Sequence, residues 1–145
     1  MATALRLPLT RLTTMAMPRT LDLDAQPTLA RWAATVREAA EAVMVLDAAG
    51  RVVAVSLGAM ALLQLEQPVG ARLADLLTVV DPTASAVPLP GTDEHLPCLR
   101  VLRGFGPFAR ALVRLRRRPG ADGLLTLDAV GIAVEGGSLA FFSEV

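Results

Sequence analysis

Glu41-Ala-Val-Met-Val-Leu-Asp-Ala-Ala-Gly-Arg-Val-Val-Ala-Val-Ser56 is the stretch whose reading decides the fold. Its apolar runs, Val43–Leu46 and Arg51–Val55, are short and β-branched, as strands are. Between them stands Asp47-Ala-Ala-Gly50. Aspartate can hydrogen-bond its own backbone, and glycine accepts the positive φ of a tight turn. The stretch therefore reads as a β-hairpin. Ser56 fits a helix N-cap, opening a short apolar helix over Leu57–Leu65 that Pro68 stops.

Upstream, Pro27 suits a first helical turn. Leu29, Trp32, Ala33, Val36, Ala40 and Val43 then recur at helical spacing, which predicts an amphipathic helix up to the hairpin. Downstream, Gly70–Leu77 reads as another short helix. Pro82, Pro88 and Pro90 make Val80–Gly91 a loop. Pro97 starts a helix over Cys98–Arg103, which Gly104 ends. Three antiparallel strands follow: Phe108–Arg117, Leu124–Val134 and Ser138–Glu144. The order is helix, two strands, three short helices, three strands. It predicts an α+β fold: a five-stranded antiparallel sheet with short helices on one face, preceded by the amphipathic helix.

Composition supports one domain. The chain has 145 residues, 53% of them hydrophobic and 19% charged, enough for a real core. Its 14 basic residues balance 14 acidic ones, so no net charge draws it to nucleic acid or anionic membranes. All the basic residues are arginine, a bias that fits a GC-rich bacterial genome. One cysteine excludes an intramolecular disulfide, and one histidine removes most histidine-based catalysis. No apolar run approaches the roughly 20 residues of a membrane-spanning helix, so the expected location is the cytoplasm. Residues 1–20 carry Arg6, Arg11 and Arg19, several threonines and no acid. That pattern mimics a transit peptide, but it reads better as a disordered tail, or as a start misplaced ahead of Met15 or Met17. The expected division is a tail over 1–26, the helix over 27–42 and the sheet domain over 43–145.

This order, with these residues, resembles the PAS domain family from about Glu41 to Val145. Asp47-Ala-Ala-Gly-Arg51 is similar to that family's Asp-x-x-Gly-Arg hairpin. Val69-Gly-Ala-Arg-Leu-Ala-Asp-Leu76 resembles its Gly-Arg-x-Leu-x-Asp-Leu helix, with Ala71 inserted. Leu102-Arg-Gly104 and Arg118-Pro-Gly-Ala-Asp-Gly123 resemble later signposts. Ser56 stands where many members carry asparagine. The resemblance implies a stand-alone bacterial sensor or regulatory module. It implies a small-molecule ligand or a protein partner, and signalling through a homodimer. An apolar pocket between sheet and helices is expected to be lined by Val45, Val55, Met60, Leu63, Leu99, Leu102, Val113, Leu127 and Phe141. A one-residue slip would reverse which strand residues face inward. The stripe Leu29, Trp32, Val36 and Ala40 is expected to pair with its copy in a second chain.

No cofactor is required by these residues. A haem- or flavin-binding redox or gas sensor of the same fold is the alternative. His95 is then the candidate haem ligand, weighed against a surface or capping histidine ahead of Pro97. Cys98 reads as a small core residue, since the flavin-photoadduct motif of light-sensing relatives is absent. Seven arginines and no acid lie between Glu94 and Asp122. Arg110, Arg114, Arg116 and Arg118 alternate onto one face of a strand. The face reads as solvated and partly paired with Asp128, or as a docking surface for an acidic partner. Without aromatic interleaving it does not read as a nucleic-acid surface.

No metal site and no catalytic constellation is legible. Asp93 and Glu94 are adjacent and would diverge on a helix. Gly104-Phe-Gly106 precedes a strand, which rules out a dinucleotide loop. A small α+β-cone enzyme would need a buried acid with a polar donor. The candidates on strands are Asp47 and Asp128, and the chain has no tyrosine to assist.

Overall fold

The computed structural model describes residues 25–81, 88, 89, 91, 95–117 and 123–145. The elements are α1 (Ala25–Arg37), β1 (Ala42–Asp47), β2 (Val52–Val55), α2 (Leu57–Leu63), α3 (Leu73–Leu76), β3 (Leu77–Val80), α4 (Pro97–Leu102), β4 (Phe108–Arg117), β5 (Leu124–Val134) and β6 (Gly137–Glu144). The strands form one sheet in the order β2-β1-β6-β5-β4-β3, antiparallel throughout.

The hairpin forms as its residues dictate. Asp47 Oδ1 accepts hydrogen bonds from the Ala49 and Arg51 amides at 2.9 and 3.0 Å. The Gly50 amide donates to the Asp47 carbonyl at 2.9 Å, with Gly50 at φ 80°. Leu46 pairs with Val52 and Val45 with Ala54, so Val53 is the extra residue of a β-bulge. The segment Gly70–Leu73 runs along the outer edge of β2. Gly70 donates to the Val52 carbonyl, Val52 to Ala71 and Leu73 to Gly50, at 2.8 to 3.0 Å. Arg51 Nη1 donates to the Gly70 carbonyl at 3.0 Å. The edge is thereby closed to further strands.

The sheet has one strand more than the five expected. Leu77-Thr-Val-Val80, read as helix end and loop, pairs with Arg114–Arg117 instead. Its β-branched residues suit a strand, and α3 is cut to a single turn before it. The Pro88–Leu89 segment bonds to β3 through the Leu89 amide, which donates to the Val79 carbonyl. The rest of the expected 80–91 loop, and the 118–122 turn, lie outside the described residues.

Two apolar layers flank the sheet. On one side α2, α3 and α4 enclose Met44, Leu46, Leu63, Leu73, Leu77, Leu96, Leu115 and Leu127. On the other, α1 lays Trp32, Ala33 and Val36 over Val43, Val45, Ala54, Leu139 and Phe141. The helices expected on one face are therefore α2 to α4, and α1 takes the opposite one.

This changes the reading of α1. Its stripe, expected to meet a second chain, is spent on its own sheet: Trp32 is 4% exposed and Val36 2%. Leu29 packs half-buried beside them. Ala40 is exposed and lies beyond the helix, which ends at Arg37 rather than near Val43. There the chain must turn back onto the sheet, and the Glu38 and Ala39 amides close tighter i to i−3 bonds at 3.2 and 3.0 Å.

Candidate functional site

The interior between the sheet and α2–α4 is where the sequence placed a pocket. Seven of the nine expected lining residues meet on that side: Leu63, Leu99, Val113 and Leu127 in the buried cluster, with Val55, Met60 and Leu102 packed against it. Val45 and Phe141 do not join them; they face α1. On β1 and β6 the residues that face the α2–α4 side are Met44, Leu46, Ala140 and Phe142. The pleat sends neighbours to opposite faces, so each of these two assignments is off by one residue.

Side chains fill this interior. Leu63, Leu73, Leu77, Leu96, Leu115 and Leu127 are all fully buried. Among the described residues, a half-open cleft of about 110 Å³ reaches it from outside. The cleft lies between the hairpin tip Ala48–Gly50, the start of α3 and the C-terminal half of α4. Leu99, Leu102 and Ala74 give it an apolar floor, and Arg72 and Arg103 stand at its rim. Gly50 matters twice here. Its φ of 80° makes the turn, and a Cβ there would lie 3.4 Å from Leu99 Cδ2 at the cleft floor. Drug-sized ligands occupy roughly 300–1,000 Å³. A ligand larger than the cleft must repack Leu99 and Leu102.

Helix α4 forms the inner wall because glycine on β5 lets it approach. A Cβ on Gly131 would lie 2.5 Å from the Pro97 carbonyl and the Cys98 amide. Ser138 Oγ donates to the Cys98 carbonyl at 2.9 Å and ties the start of α4 to β6. Cys98 is buried, and desolvation pushes its thiol up to about 12, so it stays protonated as a core residue.

His95 is half-buried, just ahead of the α4 N-cap Leu96, and does not line the cleft. Leu63, Leu73, Leu77, Leu96, Leu115 and Leu127 fill the space between sheet and helices, and the cleft of about 110 Å³ is far smaller than a porphyrin, so the described residues do not fit a haem. Among the described residues no group of three or more histidine, cysteine or acidic side chains is placed to hold a metal ion. Among them, too, no helix is long and apolar enough to cross a membrane.

The basic face is as the alternation predicts. Val113 and Leu115 point into the core, while Arg110, Arg114 and Arg116 lie on the opposite face of β4. Arg110 forms a two-pronged pair with Asp128, Nε to Oδ1 at 3.0 Å and Nη2 to Oδ2 at 2.6 Å. The hydrogen bond, and then the charge of Asp128, push the guanidinium pKa further up.

The architecture is that of a PAS-like fold. The PAS domain of an HTR-like protein from Haloarcula marismortui superposes with a TM-score of 0.50 at 19% identity, over 83% of this chain and 93% of that one. The PAS domain of a protein from Colwellia psychrerythraea gives 0.56 at 15% identity, over 81% and 96%. The PAS domain of nitrogen regulation protein NR(II) from Vibrio parahaemolyticus gives 0.52 at 14% identity, over 78% and 96%. No protein-family model matches the sequence, and no curated protein matches it. The likeness is thus one of fold, carried by tertiary structure at low identity.

Proposed function

We propose that this chain is a PAS-type sensory or regulatory module of the bacterial cytoplasm. It takes a small apolar ligand, or a protein partner, at the Leu99–Leu102 cleft. It passes the change through α1 to a second copy or to another protein. One observation carries this reading: β1 and β6 are packed on both faces. Met44, Leu46, Ala140 and Phe142 touch the α2–α4 layer, while Val43, Val45, Leu139 and Phe141 touch α1. A ligand that repacks the first set shifts the backbone that carries the second. It can favour one arrangement only by its differential affinity for it.

Two further observations favour binding over catalysis. The buried polar side chains among the described residues are those of Ser56, Thr78 and Ser138, with no carboxylate among them. Of the acids on strands, Asp47 and Asp128 are engaged in the hairpin turn and the Arg110 pair, and Glu144 is exposed at the end of β6. The packed interior also favours a small ligand over a haem or flavin.

The test is an absorption spectrum of freshly purified protein, followed by native mass spectrometry. The expected result is a bare tryptophan-dominated band and a co-purified apolar mass that Leu99→Trp, filling the cleft, removes. A Soret band or flavin bands would transfer the proposal to the cofactor-bearing alternative. A native mass equal to the bare chain, with no apolar compound from a fatty-acid panel bound, would sink the small-ligand reading.

A further inference from the structure

The cleft between the hairpin tip, α3 and α4 has a definite polarity. Its floor is apolar, from Leu99, Leu102 and Ala74, and its walls at Ala48, Ala49 and Gly50 are small and uncharged. The charged side chains at its rim are Arg72 and Arg103, and no acid lines it among the described residues. Arg103 has a partner of its own, so Arg72 carries the argument.

The backbone fixes Arg72 at the mouth. Three hydrogen bonds tie the 70–73 segment to the hairpin on either side of it. Gly70 donates to the Val52 carbonyl at 2.8 Å, Val52 to the Ala71 carbonyl at 2.9 Å and Leu73 to the Gly50 carbonyl at 3.0 Å. Arg72 is exposed, and among the described residues its guanidinium has no hydrogen-bond or ion-pair partner. The nearest acids serve elsewhere. Asp47 Oδ1 accepts from the Ala49 and Arg51 amides, and Asp75, in the single turn of α3, does not line the cleft. A second positive charge stands close by. Arg51 faces Arg72 directly in an antiparallel bridge, and its Nη1 donates to the uncharged Gly70 carbonyl. Like charges directly opposite repel, and an anion at Arg72 relieves that repulsion. The end of α4 does not oppose an anion with bare carbonyls. Those of Leu99, Arg100 and Val101 accept from the amides of Arg103, Gly104 and Phe105 at 3.0 to 3.3 Å.

We propose that the cleft takes a short-chain monocarboxylate, with its alkyl chain on Leu99, Leu102 and Ala74 and its carboxylate on the Arg72 guanidinium. The inference rests on the cleft being a ligand site, and adds the charge and length of the ligand. The length follows from the volume, about 110 Å³ against the roughly 300–1,000 Å³ of drug-sized sites. The charge follows from the guanidinium fork, which matches a planar carboxylate with two parallel N–H···O bonds and cannot match a hydroxyl in that way. Apolar burial alone holds an alcohol of the same length equally well.

The experiment titrates the full chain with sodium hexanoate and, separately, with 1-hexanol, at neutral pH and fixed ionic strength. The methyl resonances of Leu99 and Leu102 are the readout. Both compounds are expected to shift them, with hexanoate binding at least about tenfold more tightly. Arg72→Gln should remove that advantage and leave 1-hexanol binding unchanged. Arg116→Gln, on the outer face of β4, should change neither. Equal affinity for acid and alcohol in the parent chain, or an advantage that survives R72Q, overturns the proposal and leaves the cleft as a site for uncharged ligands. Failure of both compounds to shift these methyls overturns the cleft reading itself, and this inference with it.

Discussion

Ser56 does more than cap a helix. Its buried hydroxyl accepts from the Ala59 amide at 3.1 Å and from the Val43 amide at 3.0 Å, and donates to the Glu41 carbonyl at 2.6 Å. One side chain thus joins α2 to the turn that links α1 with β1. Ser56→Ala leaves buried polar groups unpartnered and is expected to cost about 1–3 kcal/mol in urea unfolding. Cys98 gives a second test at this scale. Its thiol ionises near 9 when exposed and near 12 in the fold. A raised pKa means the folded state resists losing the proton. The associated stability is complete below pH 9 and falls as pH climbs towards 12. Cys98→Ala is therefore expected to lose less stability than the parent between those values. A disulfide reagent should modify Cys98 only once the chain is unfolded. Gly131 and Gly137 are a third. An added Cβ would meet the Pro97–Cys98 backbone at 2.5 Å in the first and run into the Leu46 carbonyl oxygen in the second. Either glycine changed to alanine is expected to cost about 1–3 kcal/mol or more of unfolding free energy, read in urea unfolding, because the obstacle is backbone.

At the scale of elements, α1 is part of the core rather than an appendage. Trp32→Ala removes a large buried side chain and is expected to cost about 3–5 kcal/mol. The single tryptophan reports on itself: its emission should be blue-shifted in the native chain and move to longer wavelength on unfolding. Deleting residues 1–40 uncovers Val43, Val45, Leu139 and Phe141 together. That truncated chain should bind a hydrophobic dye strongly and aggregate, where simple loss of a dimer would give a stable monomer. The helical period of the stripe was legible, and so was its need of an apolar partner. What it packs on was not, because a helix stripe matches its own sheet as well as a second helix.

For the whole molecule, the order of elements was readable from residues with strong local meaning. Asp47 and Gly50 make the hairpin, Ser56 caps α2 and Pro97 opens α4. The pattern of β4 was readable too, since arginine alternates there with apolar residues. The pocket assignment failed at Val45 and Phe141 for a definite reason. Ala42–Leu46 and Leu139–Phe142 are apolar at every position, because both faces of these strands are buried. Alternation then carries no signal. Of the cleft, Leu99 and Leu102 were among the expected pocket residues, but its other walls were not legible, since it joins a hairpin tip, a one-turn helix and the end of α4, which lie far apart in the chain.

By itself, then, the sequence determined the kinds of element, their order and the α+β class. Local sterics, turn chemistry and capping act over a few residues. Only the tertiary structure decided that Leu77–Val80 is a sixth strand, that α1 is buried on its own sheet and that the interior is filled to leave a small cleft. Strand pairing, the choice of face and packing density depend on residues distant in sequence, so no local pattern can specify them.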